Sequence, residues 1–370
     1  MKKIQIVIAV LLISIPYCNS QSNSRFFYDE SNYNTTKEIK SFDNKLFVLG
    51  QHFLKKDSVQ HVTSILCTDT ALNKIWDKHL GNYDADERFE SFSLDPDGNL
   101  FLSGYNGKQK SALLSKLSTT GELQWKKEFN NITSFNNLEI YNNNSLIIAG
   151  TKSFPNSAVT TDSTVISKTD FNGNILWTKT ICPDIGLRFL KLLGDKIILC
   201  VNTTNSPVSF PISKLFCLNQ NGEIEWSYDL DLKNTAIDFG VKSIKLKIVD
   251  DQNILVLCQS HNSRNPILVL QKFDQSGKKI SSYKVEHTEL TKTENLNDKV
   301  VLLTGLSYFV YGKKPLQIIL KEDEKKEPYF CLTETVDHLI DFVTINNERY
   351  LIANKLDLEK HFSKWQISKF

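Results

Sequence analysis

One short pattern constrains this chain more than any other feature: a polar turn followed, a few residues on, by a tryptophan. It is written as TALNKIWDKHL (70–80), TTGELQWKKEF (119–129), FNGNILWTKTI (171–181) and QNGEIEWSYDL (220–230). Trp76, Trp125, Trp177 and Trp226 stand 49, 52 and 49 residues apart. QSGKKISSYKV (275–285) continues the series with Ser281 where a tryptophan is due, and KEDEKKEPYFCL (321–332) keeps a polar turn while losing both glycine and tryptophan. A fixed period of this size marks an array of like units.

Upstream of each turn a short apolar run ends in a small residue: KLFVLG (45–50), NLFLSG (99–104), SLIIAG (145–150), KIILC (196–200), NILVLC (253–258), VVLLTG (300–305) and RYLIAN (349–354). That makes seven units. Each run is flanked by further five- to seven-residue stretches rich in Val, Ile, Leu, Phe and Tyr and bounded by Asn, Asp and Gly, which are strand signals. Four strands per unit of about fifty residues predict an all-β, seven-bladed β-propeller of four-stranded blades. The units run over 37–80, 88–129, 134–181, 186–230, 241–285, 289–332 and 337–370. The last supplies three strands, and an open blade would leave an unpaired edge; the segment at 24–30 is therefore expected to close it. The glycine of each turn serves a tight hairpin with positive φ. The four tryptophans are read as structural docking residues that lie across the neighbouring blade.

Lys2 and Lys3 precede the apolar run from Ile4 to Ile15, and Cys18 and Ser20 stand three and one before a cut after Ser20. Residues 1–20 read as a signal peptide, leaving 21–370 as one domain, exported and either periplasmic or extracellular. The rival reading is acylation of Cys18, which would make an outer-membrane lipoprotein, although Tyr17 stands where a lipobox wants a small residue. Membrane association is expected only in that case. Forty-four basic against forty-two acidic residues give a formal charge of +2, so no whole-molecule field draws the chain toward nucleic acid. A monomer is expected.

The turn DFNGNILW (170–177) matches in full, and STTGELQW and NQNGEIEW match in their glycine and tryptophan, the DxxGxxxW repeat of the quinoprotein-like (PQQ-like) propeller superfamily. The chain resembles the exported repeat propellers common in Bacteroidetes and, more distantly, the BamB group of outer-membrane assembly lipoproteins. What the resemblance implies is architecture; its motifs carry little about function. Quinone chemistry in related enzymes relies on calcium-binding carboxylates and often a vicinal cysteine pair, and neither can be located here. No cofactor and no metal are therefore expected.

Six cysteines remain after the leader, Cys67, Cys182, Cys200, Cys217, Cys258 and Cys331, with no CxxC among them. Cys200 and Cys258 are read at the repeat position that Gly50, Gly104 and Gly150 hold, as buried inert thiols. A cross-strand disulfide between Cys200 and Cys217 is the alternative. DPDGN (95–99) resembles a calcium loop only superficially and reads as a hairpin turn. The seven histidines are scattered, and no GxSxG elbow is present.

Function is sought where the units differ. Loops between second and third strands emerge on one face with the blade-joining segments, and variable loops on a rigid frame commonly carry binding. The candidate partner-binding residues on that face are Tyr83, Asp86 and Arg88 in and after GNYDADER, Tyr105, Phe154, Phe210, His261 and Arg264, with Tyr308, Phe309 and Tyr311 in LSYFVYGKKP. Aromatics and arginine dominate binding hot spots. The leading expectation is a non-catalytic scaffold for a protein or glycan partner. The alternative is an enzyme, a lyase or hydrolase, with its site at the central channel.

Overall fold

The computed structural model describes residues 23–27, 34–53, 61–153, 162–182, 185–203, 212–230, 241–250, 253–260, 267–286, 288–297, 300–309, 312–321, 329–331, 339–345, 348–357 and 362–369. Side chains are described only within 35–282 of these.

The described strands form seven four-stranded antiparallel sheets, six of them built from four consecutive strands. Sheet one, for example, holds Asn34–Phe42, Lys45–Phe53, His61–Asp69 and Lys74–Leu80. The innermost strands of the following sheets are Glu87–Leu94, Ser134–Tyr141, Ile185–Leu193, Val241–Asp250, Thr288–Asn297 and Leu339–Ile345. Each packs beside the innermost strand of the next sheet, and that of sheet seven packs beside that of sheet one, so the ring closes. Sheet seven takes three strands from the C-terminal end and its outermost strand, Asn23–Phe27, from the N-terminal end, with Phe27 opposite Trp365 and Asn23 opposite Lys369. The closing strand is described over 23–27, and residues 28–30 of the segment expected from sequence lie outside the described residues.

Burial follows position in the sheet. The second strand of sheet two, Leu100–Asn106, is buried at every residue but Tyr105, because neighbouring sheets cover both its faces. The outermost strand, Leu123–Phe129, alternates exposed and half-buried residues. The described core consists of four seams. Phe47 and Leu49 meet Leu100 and Leu102 between sheets one and two, and Phe101 meets Leu146 and Ile148 between two and three. Ile147 meets Ile197 and Leu199, and Ile198 with Cys200 meets Val256 and Cys258, in the next two seams.

The repeated turn explains both of its signature residues. Asp170 Oδ1 accepts from the amides of Asn172 and Asn174 at 2.9 and 2.8 Å, and the Gly173 amide donates to Asp170 O at 3.0 Å. Asn219 and Ser118 fill the same role in their own turns. The DPDGN segment is such a hairpin turn: Asp95 Oδ1 accepts from the amides of Asp97 and Asn99, and Oδ2 from the Asn99 side chain. The glycines at 121, 173, 222 and 277 all have φ between +73° and +81°. They also lie under an indole from the preceding sheet: a Cβ on Gly121 would stand 3.0 Å from Trp76, and one on Gly277 2.6 Å from Trp226. Trp76 Nε1 donates to Thr119 O at 3.1 Å and Trp226 Nε1 to Gln275 O at 2.8 Å.

Every innermost strand carries a β-bulge, where one extra residue interrupts the ladder; counted from the turn after the third strand it falls at the same place in sheets one to four and two residues farther along in sheet five. The extra residues are Lys37, Glu90, Asn136, Arg188, Lys242, Thr291 and Ile340. Opposite the residue before each bulge stand Gly50, Gly104, Gly150, Val201, Ser260, Gly305 and Ala353. A Cβ on Gly104 would fall on the carbonyl of Arg88, and one on Gly150 on that of Ser134, which is why most of these residues are small. Counted from the turn after the third strand, Cys258 holds the position of Gly50, opposite Val269 as Gly104 is opposite Leu113, but in sheet four that position belongs to Val201 and not to Cys200. Cys200 lies opposite Phe189, just past the bulge. Its neighbour across the second ladder is Leu215 rather than Cys217, and the two form no disulfide.

Candidate partner-binding face

The bulges lie near the strand ends from which the sheet-joining segments and the loops between second and third strands leave, so this face of the ring surrounds the mouth of the axial channel. Its best-described part spans sheets one and two. The segment joining them runs through a 3-10 turn, Tyr83–Ala85, and then Asp86, whose φ of 52° is a left-handed conformation that costs an ordinary residue energy. Two hydrogen bonds hold it: the amides of Gly107 and Lys108, in the turn between second and third strands of sheet two, donate to the carbonyls of Asp86 and Ala85, both at 3.1 Å. A Cβ on Gly107 would stand 2.4 Å from Asp86 Oδ2, so any larger residue there would displace the carboxylate. Glu87 anchors the other side, accepting from the Asn82 amide at 2.8 Å and from Lys126 Nζ at 2.8 and 2.9 Å.

On this frame Asp86 Oδ1 accepts from Arg88 Nε at 2.9 Å and lies 2.8 Å from Nη2. The Arg88 guanidinium carbon is 5.8 Å from the centre of the Tyr105 ring, which its cross-strand position brings beside it. Across the seam Lys37 pairs with Glu90, and Gln51 Nε2 donates to Glu90 Oε1 at 3.4 Å. Burial lowers the Lys37 ammonium pKa, Glu90 opposes the shift, and Arg88 adds to it. Burial raises the Tyr105 phenol, Arg88 opposes, and the charges of Glu90 and Asp86 reinforce. Tyr105 therefore holds its proton at neutral pH, as a hydrogen-bond donor and not a base. Two cations and two carboxylates cancel within the cluster, leaving a neutral surface of oriented donors, acceptors and one ring.

Deeper along the axis a second group joins sheets one to four. Lys40 lies 3.1 Å from Glu38 and donates to Phe92 O; Glu38 Oε2 accepts from the Phe92 amide at 3.2 Å and Ser91 Oγ at 3.3 Å. Lys191 pairs with Glu139. Burial pushes the Glu139 carboxyl up, but the charges of Lys191 and Lys40 outweigh it and the net direction is downward. Glu139 in turn raises Lys191.

Of the residues singled out from sequence, the structure brings Asp86, Arg88 and Tyr105 together and places Tyr83 beside them by its backbone. Phe154, Phe210, His261, Arg264 and Tyr311 lie outside the described residues. Tyr308 and Phe309 are strand residues opposite Lys313 and Gly312, so the ladder extends where a longer loop was expected. Trp76, Trp125, Trp177 and Trp226 hold the seams. Lys37, Gln51, Glu90, Glu38, Lys40, Glu139 and Lys191 were missed: strand alternation does not reveal a bulge, the only signal of the six charged ones was charge in TTKEIKSF, ERFESFSL, NNLEIY and GLRFLKLL, and Gln51 gave none. Among the described residues no group of three His, Cys, Asp or Glu could hold a metal ion. His79, hydrogen-bonded to Ser64 at 2.8 Å, sits on the outermost strand of sheet one, far from the axis.

No family model and no curated protein matches the sequence. Solved structures do match the fold. The β-propeller domain of the trilobed protease from Pyrococcus furiosus, described as having an open velcro topology, aligns at TM-score 0.52 and 11% identity over 90% of this chain and 94% of its own. The polysaccharide lyase Uly1 aligns at 0.51 and 8%, over 91% and 90%, and Drosophila Semaphorin 2a at 0.57 and 8%, over 93% and 75%. At these identities the likeness shows the fold alone: the chain is a β-propeller, similar in architecture to proteins that include a lyase and a semaphorin.

Proposed function

We propose that this chain is a non-catalytic, exported propeller that binds a protein or glycan partner through the face carrying its sheet-joining segments and second-to-third-strand loops. The observation that carries this reading is the Asp86–Arg88–Tyr105 cluster. It is a strained, doubly hydrogen-bonded platform that fixes an arginine against an aromatic ring, with Tyr105 held protonated and the carboxylates of Asp86 and Glu90 each paired with a cation. Rigid aromatic and arginine side chains set among paired charges suit recognition more than turnover.

The test is capture of defined ligands on a glycan array and on a panel of purified exported proteins. Arg88→Ala with Tyr105→Ala should abolish binding of whichever ligand wild type retains, with an unchanged melting temperature. Undiminished capture by the double variant would overturn the reading.

The charged side chains described on the innermost strands, Glu38, Lys40, Glu139 and Lys191, support a second reading: an enzyme of lyase or hydrolase type at the central channel. Glu139→Gln separates the two, since it should leave partner capture intact and would abolish turnover if the axis were catalytic.

A further inference from the structure

Each innermost strand is laddered on one edge only, to the second strand of its sheet, so its other edge turns peptide groups toward the axis. In sheet two both polar groups of the Phe92 peptide are taken by side chains of sheet one: Glu38 Oε2 accepts from the amide at 3.2 Å and Lys40 Nζ donates to the carbonyl. Lys40 shares one register position with Ser93, Glu139 and Lys191. These four lie opposite Phe47, Phe101, Ile147 and Ile198, which in turn face the third-strand residues two before Asp69, Ser118, Asp170 and Asn219. One layer of the ring thus carries a cation, a serine, a carboxylate and a cation over sheets one to four. Only the short Ser93 side chain stands between Lys40 and Glu139, and Glu139 pairs with Lys191 of the next sheet. The charges act accordingly. Burial raises the Glu139 carboxyl, and Lys191 and then Lys40 bring it down; Glu139 raises the Lys191 ammonium, burial opposes, and Glu38 adds to the rise.

From this layer we infer that Glu38, Lys40, Glu139 and Lys191 act as one ionic latch along the axial side of sheets one to four, not as two separate ion pairs. The four charges sum to zero, and each carboxylate feels both lysines. Partly buried charges of this kind are screened less than exposed ones. The latch holds together innermost strands that no ladder joins, and it makes the spacing of those strands around the channel respond to salt. It shares no residue with the Asp86 cluster and requires no turnover at the axis, so it stands or falls separately from both readings of function.

Hydrogen exchange of the full chain, followed at the Phe92 amide, reads the latch directly, because that amide is bonded to Glu38. Glu139→Gln and Lys191→Gln change only sheets three and four, yet each should speed exchange at Phe92 by about fivefold, the scale of one partly buried ion pair. Lys110→Gln, in an exposed turn, should not. In wild type, sodium chloride at about 1 M, where screening acts over about 3 Å, should do the same, and it should add little in Glu139→Gln. The swap of Glu139→Lys with Lys191→Glu keeps the local pair but sets a lysine next to Lys40 and turns a glutamate toward Glu38. It should melt below wild type and exchange faster at Phe92. Exchange at Phe92 unchanged in Glu139→Gln and Lys191→Gln, or a swap variant indistinguishable from wild type, would mean two independent pairs and overturn the proposal.

Discussion

The indole of Trp177 lies against Gly222 of the following sheet, where an added Cβ would be 2.8 Å from Cζ3 and 2.9 Å from Cη2. Gly222 is therefore fixed twice, by its φ of 74° and by the ring above it. Gly222→Ala should destabilise by about 1–3 kcal/mol through backbone strain and crowding. Trp177→Ala should cost about 3 kcal/mol. The double variant should lose less than the sum, since removing the indole removes the clash, and urea titration of the four proteins measures the coupling. Strict additivity would mean that the two residues do not dock.

Leu72 occupies the turn position that glycine holds in sheets two to five. Its φ is 65° and it is fully buried. The sheet preceding it in the ring is the seventh, whose outermost strand, NSRFF, brings no tryptophan, so a buried leucine stands where the next four sheets set a glycine under an indole. Leu72→Gly should thus destabilise by about 1–3 kcal/mol, the loss of a buried side chain partly offset by relief of strain. Gly121→Leu should prevent folding, because Trp76 already stands there. Thermal melts decide both.

Burial pushes the thiols of Cys67, Cys217 and Cys258 up to about 12, with the Glu225 charge adding to the shift at Cys217. At pH 8 none should react with a disulfide reagent until the protein unfolds, as peptide mass spectrometry after labelling would show. The linkage has a definite sign. A thiol whose folded pKa is raised contributes stability that is whole below its unfolded value of 9.0 and is lost as pH rises toward about 12. Denaturation midpoints should fall across that window, and Cys258→Ser should flatten the fall.

Asp170 shows how little the repeat depends on charge. Burial raises its carboxyl, but hydrogen bonds from Asn174 and Asn172 outweigh that and leave it lowered. Asp170→Asn should be nearly neutral at pH 7, because Asn219 makes the same two backbone bonds in sheet four. Asp170→Ala should cost about 1 kcal/mol. The wild-type turn should weaken as pH falls below the unfolded carboxylate range, and the asparagine variant should not.

Architecture was largely legible in the sequence because it is written in backbone terms. Gly173 and Trp177 recur as a turn and a dock, and apolar runs such as NLFLSG are strands covered on both faces. The site was legible only where local spacing reaches it: Asp86, Arg88 and Tyr105 belong to one sheet and one ladder. Lys37 and Glu90 are 53 residues apart, and their pairing depends on two bulges meeting across a seam. Cys200 was misplaced for a plainer reason: KIILC stops one residue short of KLFVLG, and counted from Lys196 as Gly50 is from Lys45 the position falls on Val201.

Pairing of Asn23–Phe27 with Phe362–Lys369 gives the seventh sheet a role in timing. A ribosome releases the first of these strands long before the second exists, so the earliest strand must wait, solvated and without a ladder, while the other sheets assemble. Only a chain that already includes Phe362–Lys369 can seat it. Completion of the circle is in that sense a test of the translated message, and a nascent chain stopped short of residue 362 would carry two naked edges for a protease or chaperone to find.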